Sequence, residues 1–142
     1  VLAAAGRSSG ALRAAAPRHL ADREVLEAAL GADEARGQRV DEASSPLRLA
    51  SEELRADREL VLRAVRMCGG ALKHAVGAAQ TDHEVILAAV EESCQALRHA
   101  PEACRAERPL VLAAVGRAGA ALRHAVEALR GDREVVLAAV RS

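Results

Sequence analysis

Three histidines recur at one place in the sequence and are its strongest candidates for metal chemistry. They stand fourth in the stretches ALKHA, ALRHA and ALRHA, as His74, His99 and His124. Zinc needs its nitrogen ligands at about 2.0–2.1 Å, whereas neighbouring packed helices lie about 10 Å apart. Two of these histidines therefore cannot share one zinc ion, and we expect each to fill a partly buried packing position.

The three cysteines give a second metal candidate and a weak indication of compartment. Cys94, His99 and Cys104 form the pattern C-x4-H-x4-C, which matches no common zinc spacing and puts the three side chains on diverging helix faces. With Cys68 the number of cysteines is odd, so a disulfide framework is not indicated. We predict no metal site and a reducing compartment.

One glycine-containing stretch is a candidate for a phosphate-binding loop. GADEARG at 31–37 contains two glycines, but no lysine or hydroxyl residue follows them as a phosphate-binding loop requires. We expect these glycines to serve a surface loop. No acid–base pair or Ser-His-Asp order can be defended, so we predict no enzyme activity, no cofactor and no small-molecule substrate.

Two sets of basic residues recur at fixed places and are the candidates for partner binding. The first basic column follows an acidic residue, and the second basic column follows an invariant leucine. A cationic ridge of this kind suits an acidic protein surface or a phosphate backbone. The alternative is a solvated face whose arginines pair with nearby Asp and Glu, at about 0–1 kcal/mol per pair. The first column is Arg23, Arg58, His83, Arg108 and Arg133, and the second is Arg13, Arg48, Lys73, Arg98 and Arg123.

Composition narrows the choice of partner. Twenty basic residues balance twenty acidic ones, so the chain lacks the overall positive field that gathers nucleic acid. Phe, Tyr and Trp are absent, which removes the usual stacking platforms for bases. No apolar run reaches the roughly 18–20 residues of a membrane span. We therefore expect a soluble intracellular protein, a protein partner before a nucleic acid, and no membrane span.

A repeat of 25 residues must position these columns. Its leading acid stands at Asp57, Asp82, Glu107 and Asp132, and a longer copy begins at Asp22. We predict one repeat array over residues 1–142, and we expect it to be one stretch of a longer chain or larger assembly. Its units are 1–21 (partial), 22–56 with an insert at about 31–45, 57–81, 82–106, 107–131 and 132–142 (partial).

Each unit is predicted to be a helical hairpin, which makes the fold class all-α, a solenoid-like stack. The leading Asp is a good N-cap, and Gly69 or Gly119 is expected to end the first helix with a positive φ. A second helix then carries the ALRHA stretch, with a break and a short turn after it. One continuous helix is disfavoured by Pro101 and Pro109, since interior proline costs about 3 kcal/mol or more. The predicted core columns are Leu62, Val65, Leu72, Leu87, Val90, Leu97, Leu112, Val115 and Leu122.

The insert at about 31–45 is the least repetitive part of the chain. Long loops cost little stability, so sequence drift alone explains such an insert. The alternative is a specific contact, because binding residues often lie on loops above a rigid scaffold. Both interpretations stay open.

Three stretches of the repeat carry a family resemblance: DREVVLAAV at 132–140, the glycine turn and x-A-L-x-x-A. Together they resemble a short helical repeat family catalogued only as a domain of unknown function. The resemblance covers nearly the whole chain except the insert. It implies tandem arrays, known notably from algae, protists and some bacteria, with no established activity or catalytic residue. The family often has aromatics where this chain has His74, His99 and His124.

The function predicted from the sequence is a non-catalytic protein–protein interaction or scaffold segment. The alternative is an RNA- or phosphate-contacting helical array that uses the two basic columns.

Overall fold

The computed structural model describes Leu12 and residues 17–19, 21–37 and 45–142 of the chain. This described part is all-α, as predicted, and contains no strand. Its α-helices are α1 (Arg23–Ala35), α2 (Glu52–Arg55), α3 (Arg58–Met67), α4 (Ala78–Thr81), α5 (His83–Glu92), α6 (Glu102–Ala106), α7 (Arg108–Arg117), α8 (Glu127–Arg130) and α9 (Arg133–Arg141). Its 3-10 helices are η1 (Pro17–His19), η2 (Pro46–Arg48), η3 (Gly69–His74), η4 (Cys94–His99) and η5 (Gly119–His124).

The order of elements repeats along the chain as a long α-helix, a six-residue 3-10 helix and a short α-helix. The ALRHA stretch therefore forms a 3-10 helix, where the sequence predicts an ordinary second helix of a hairpin. A short α-helix replaces the predicted short turn before the next acid. One residue is buried in each of three short α-helices, Leu54 in α2, Ala79 in α4 and Cys104 in α6, whereas α8 buries none.

The long helices begin at the predicted acidic caps. Asp82 accepts hydrogen bonds from the backbone N–H groups of Glu84 and Val85, at 2.9 and 3.2 Å. Asp57 accepts one from Leu60 at 3.1 Å. These bonds satisfy donors that the first turn of a helix leaves without partners, so the N-cap prediction is confirmed at these helices.

The long helices do not end on glycines with a positive φ, and that prediction is wrong. The residues that end α3, α5 and α7 are Cys68, Ser93 and Ala118, all extended with φ near −151°. In the described part, a positive φ occurs at Gly37 and Gly77.

Gly69 and Gly119 are needed for close packing instead. A Cβ on Gly69 would lie 2.4 Å from the carbonyl oxygen of Ala89, in the next long helix. A Cβ on Gly119 would lie 2.2 Å from the carbonyl oxygen of Ala139. Two glycines, 50 residues apart, therefore allow the start of a 3-10 helix to approach the backbone of the following repeat.

The core is a continuous aliphatic layer between neighbouring repeats. Of the predicted core residues, the valines and two of the leucines are fully buried, whereas Leu62, Leu87, Leu112 and Leu122 are only partly buried. Leu62, Leu87 and Leu112 belong to the long helices and lie at the edge of the buried face. In each case the two residues that immediately precede the leucine point inward. The inward residues missed from the sequence are Leu60, Val61, Val85, Ile86, Leu110, Val111 and Val135.

Neighbouring repeats are joined by side-chain packing and by backbone hydrogen bonds. Helix α3 packs on α5, and α5 packs on α7. The backbone N–H of Val76 donates to the carbonyl of Arg55 at 3.1 Å, and that of Val126 donates to Arg105 at 3.3 Å. Pro101 stands at the same place in the intervening repeat and has no N–H to donate.

The first part of the insert is helical. Helix α1 continues through Gly31 to Ala35, so the glycine of GADEARG at 31 lies in a helix and not in a surface loop. Gly37, with φ of 60°, follows the helix end. Glu34 lies in the last turn of α1 and accepts a hydrogen bond from Nη2 of Arg63 at 2.7 Å.

Candidate interaction surface

The first basic column forms ion pairs between neighbouring repeats. The first residue of each long helix reaches the acidic cap of the next long helix, and the arginines also contact the glutamate two residues after that cap. We call this set the ion-pair ladder. Its bonds to the caps are Arg23 to Asp57 (2.5 Å), Arg58 to Asp82 (2.9 Å) and Arg108 to Asp132 (3.1 Å), and the glutamates are Glu59, Glu84 and Glu134.

One rung of the ladder is built differently. Nε2 of His83 lies 2.8 Å from Oε2 of Glu107, in place of the Arg–Asp pair of the other rungs. The second acid is absent because Pro109 stands at its position. Both partners thus change together within one sequence. That shared change is the signal from which the ladder could have been found, because residues 24 apart that vary together are expected to be in contact.

The ladder lowers the pKa of two of its capping carboxylates, Asp82 and Asp132. Burial by itself raises the pKa of Asp82, but hydrogen bonds from Arg58 and from the backbone N–H groups of Val85 and Glu84 outweigh it and hold the net pKa below its usual range. The hydrogen bond from Arg108 is the main cause of the lowered pKa of Asp132. These carboxylates are therefore charged at neutral pH and stabilise both the helix start and the neighbouring repeat.

Arg133 is the last member of the first basic column. Its side chain is exposed, and no ion pair joins it to another residue of the described ranges. The first column is thus occupied by contacts within the chain at Arg23, Arg58, His83 and Arg108.

The second basic column lies on the surface of the 3-10 helices. Arg13 is outside the described residues. The other four members are exposed, and each lies on one of four successive 3-10 helices, which pack side by side from η2 to η5. These members are Arg48 on η2, Lys73 on η3, Arg98 on η4 and Arg123 on η5. The first column is exposed as well, but its members Arg23, Arg58, His83 and Arg108 are engaged in the ion-pair ladder.

The recurrent histidines lie half-buried directly after these cations. Nε of Arg98 donates to Nε2 of His99 at 3.2 Å. The Nε2 atoms of His74 and His124 are buried and have no hydrogen-bond partner. Their placement agrees with the packing position expected from the sequence.

The surroundings of these histidines are positively charged. The pKa of His74 is lowered to about 4, first by burial and then by the nearby positive charges of Lys73, Arg48 and Arg55. The pKa values of His99 and His124 are lowered as well. Burial is the main cause, and the positive charges of neighbouring basic side chains add to it. All three imidazoles are therefore neutral at pH 7, and the fixed charge nearest to them is that of the second basic column.

A cavity of about 250 Å³ opens beside Arg98, between two repeats. Met67, Gly70 and Gln95 line it, together with Glu92 and His99. At Gly70 the neighbouring repeats have Gln95 and Ala120, so the missing side chain of Gly70 leaves room here.

The cysteines form no metal cluster with other side chains in the described ranges, where no three His, Cys, Asp or Glu residues come together. Cys68, Cys94 and Cys104 are free thiols. Burial raises the pKa of the Cys104 thiol, with a further increase from Glu107.

Among the helices that the structure describes, none combines the length and the apolar character that crossing a membrane requires.

The fold and this surface define an all-α repeat protein with two exposed basic columns, one of which forms the ion-pair ladder between repeats. A family described as a domain of unknown function (DUF4116) matches residues 42–75, which include η2, α2, α3 and η3. The chain is similar to that family over this stretch. No curated protein and no solved structure matches the chain.

Proposed function

We propose that this chain is a non-catalytic interaction segment that holds a protein partner against its second basic column. The observation that carries the proposal is a difference in the ion-pair contacts of the two columns. The first column is held by the acidic caps of neighbouring repeats, whereas Arg98 and Arg123 are exposed on neighbouring 3-10 helices and form no ion pair with another described residue.

Electrostatic complementarity gives such a surface its specificity. Regularly placed cations attract an acidic surface and repel a basic one, which sets association rate and register more than raw affinity. Within the array, Arg98 donates a hydrogen bond to His99, whose imidazole is neutral at pH 7 and so leaves the positive charge of Arg98 uncompensated. An acidic protein surface is thus the partner chemistry that this face favours.

Crosslinking and affinity capture with the paired substitutions Arg98→Glu and Arg123→Glu would test the proposal. A specific partner should crosslink to η4 and η5 and be lost from this double variant. The matched control reverses two other exposed arginines, Arg133→Glu and Arg141→Glu, and should retain the partner. Equal capture by both double variants would refute the proposal.

The alternative from the sequence, RNA contact by the same cations, has a distinct outcome in this experiment. Phosphate contacts make binding weaken steeply between about 50 mM and 200 mM salt. Recovery of RNA with that salt dependence, in place of a protein, would favour the RNA alternative.

A further inference from the structure

The spacing of the second basic column sets a condition on what can bind along it. Its members recur once per repeat, on 3-10 helices that pack directly against one another. Packed helices lie about 8–10 Å apart, so neighbouring cations recur at about that interval. A ligand that engages several of them must present anionic groups at a similar interval.

An extended polypeptide meets this condition in one conformation. A polyproline II helix rises about 3.1 Å per residue with three residues per turn, so every third side chain lies on one side at intervals of about 9 Å. In a β-strand, side chains on one side recur at every second residue, about 6.6 Å apart, or at every fourth, about 13 Å apart. The polyproline II spacing therefore fits the column, and the strand spacings do not.

We propose that the second basic column binds an acidic partner segment in the polyproline II conformation, with a carboxylate at every third residue. This inference rests on the proposed function and names its partner chemistry. The carboxylates of the partner lie along Lys73, Arg98 and Arg123, one per repeat. Because these three cations are exposed, salt should weaken the contact.

The cavity beside Arg98 gives this segment a fixed position along the array. Glu92 contributes a carboxylate to the lining, so a glutamate of the partner would be repelled from it. An uncharged side chain between two partner carboxylates enters the cavity, where Gly70 leaves space and Met67 offers an apolar surface.

The test uses three peptides of identical length and composition, each with four glutamates placed at every second, every third or every fourth residue. Fluorescence anisotropy with the complete 142-residue chain measures their dissociation constants. The every-third peptide should bind about tenfold more tightly than its isomers, a difference of about 1.4 kcal/mol, because the isomers cannot align all their carboxylates with successive cations.

Variants then locate the site. Arg98→Glu with Arg123→Glu should remove the preference for the every-third peptide, and Arg133→Glu with Arg141→Glu should retain it. Gly70→Gln fills the cavity with the residue found at Gln95 in the next repeat and should weaken binding of the every-third peptide. Unchanged binding by Gly70→Gln would show that no side chain enters the cavity and would overturn that part of the proposal.

Equal affinity for all three peptides, or no binding even at low salt, would overturn the every-third register. Either result leaves the proposed function standing if captured protein still depends on Arg98 and Arg123. Tighter binding of a single-stranded RNA with four phosphates than of any peptide would replace the peptide proposal with the nucleic-acid alternative. Circular dichroism of each variant confirms that its helices are intact.

Discussion

Arg58 and Asp82 are 24 residues apart in sequence, and Nε of Arg58 donates a hydrogen bond to Oδ2 of Asp82 at 2.9 Å. Oδ1 of the same carboxylate accepts from the backbone N–H groups of Glu84 and Val85. One carboxylate thus begins helix α5 and joins it to the preceding repeat. Related contacts at Asp57 and Asp132 make this a recurrent feature of the array.

Asp82→Ala should lower the free energy of unfolding by about 1–2 kcal/mol, mainly through loss of the N-cap. Glu84→Ala is the matched control, since Glu84 also contacts Arg58 but caps no helix with its side chain. The control should cost about 0–1 kcal/mol, as expected for an exposed ion pair. Urea unfolding followed by circular dichroism measures both. Equal losses would show that the ion pair, and not the cap, is the stabilising contact.

Glu107→Asp should stabilise the protein by about 0.5–1 kcal/mol, because Asp is a strong N-cap and Glu107 makes no side-chain cap bond. Pro109 has no backbone N–H to donate. The new carboxylate at position 107 would therefore accept its hydrogen bond from the backbone N–H of Leu110. The same third-position bond is seen between Asp57 and Leu60. An increase in the urea midpoint is the expected readout. A decrease would mean that the His83 contact of Glu107 outweighs a cap.

Gly69→Ala and Gly116→Ala make the same chemical change in opposite surroundings. The new Cβ at position 69 would meet the Ala89 carbonyl oxygen at 2.4 Å, so the repeats must separate, and overpacking of this kind costs about 1–3 kcal/mol. Nothing lies within 4 Å of a Cβ at position 116, inside α7, where alanine is favoured over glycine by about 0.5–1 kcal/mol. Thermal unfolding should therefore shift down for Gly69→Ala and up for Gly116→Ala. A stabilised Gly69→Ala protein would contradict the close approach.

Stability should fall as the pH decreases from about 6.5 toward about 4. The pKa of His74 is about 4 in the folded protein and 6.5 as its ordinary value, so the unfolded chain binds more protons in this range. The stabilisation is complete above pH 6.5 and is lost as the pH falls through the folded pKa. Urea midpoints at several pH values measure the decline.

His74→Gln is the control for this pH dependence, because glutamine does not titrate. Its decline between pH 6.5 and 4 should be shallower than that of the unchanged protein. The capping Asp82 and Asp132 have pKa values below 3.8 and so lose their charge mostly below this window. An identical decline in both proteins would exclude His74 as the group responsible.

The sequence was sufficient for features that depend on neighbours a few residues apart. A 25-residue period and an acidic residue at the start of each unit predicted an all-α chain and the starts of its long helices, because an N-cap bond spans two or three residues. The recurrent histidines were likewise placed in a packing position by their pattern alone. The functional residues proposed from sequence were both basic columns, and nothing local distinguished one column from the other.

The tertiary structure decided which basic column forms ion pairs between repeats, where the core lies and why the glycines recur. Arg58 reaches Asp82, and Gly69 meets Ala89, only because stacking brings residues 20 or more apart into contact. The stacking geometry also selects Leu60 and Val61 over Leu62 as core residues and makes the ALRHA stretch a 3-10 helix. These outcomes depend on how one repeat sits on the next, which no property of a single repeat specifies.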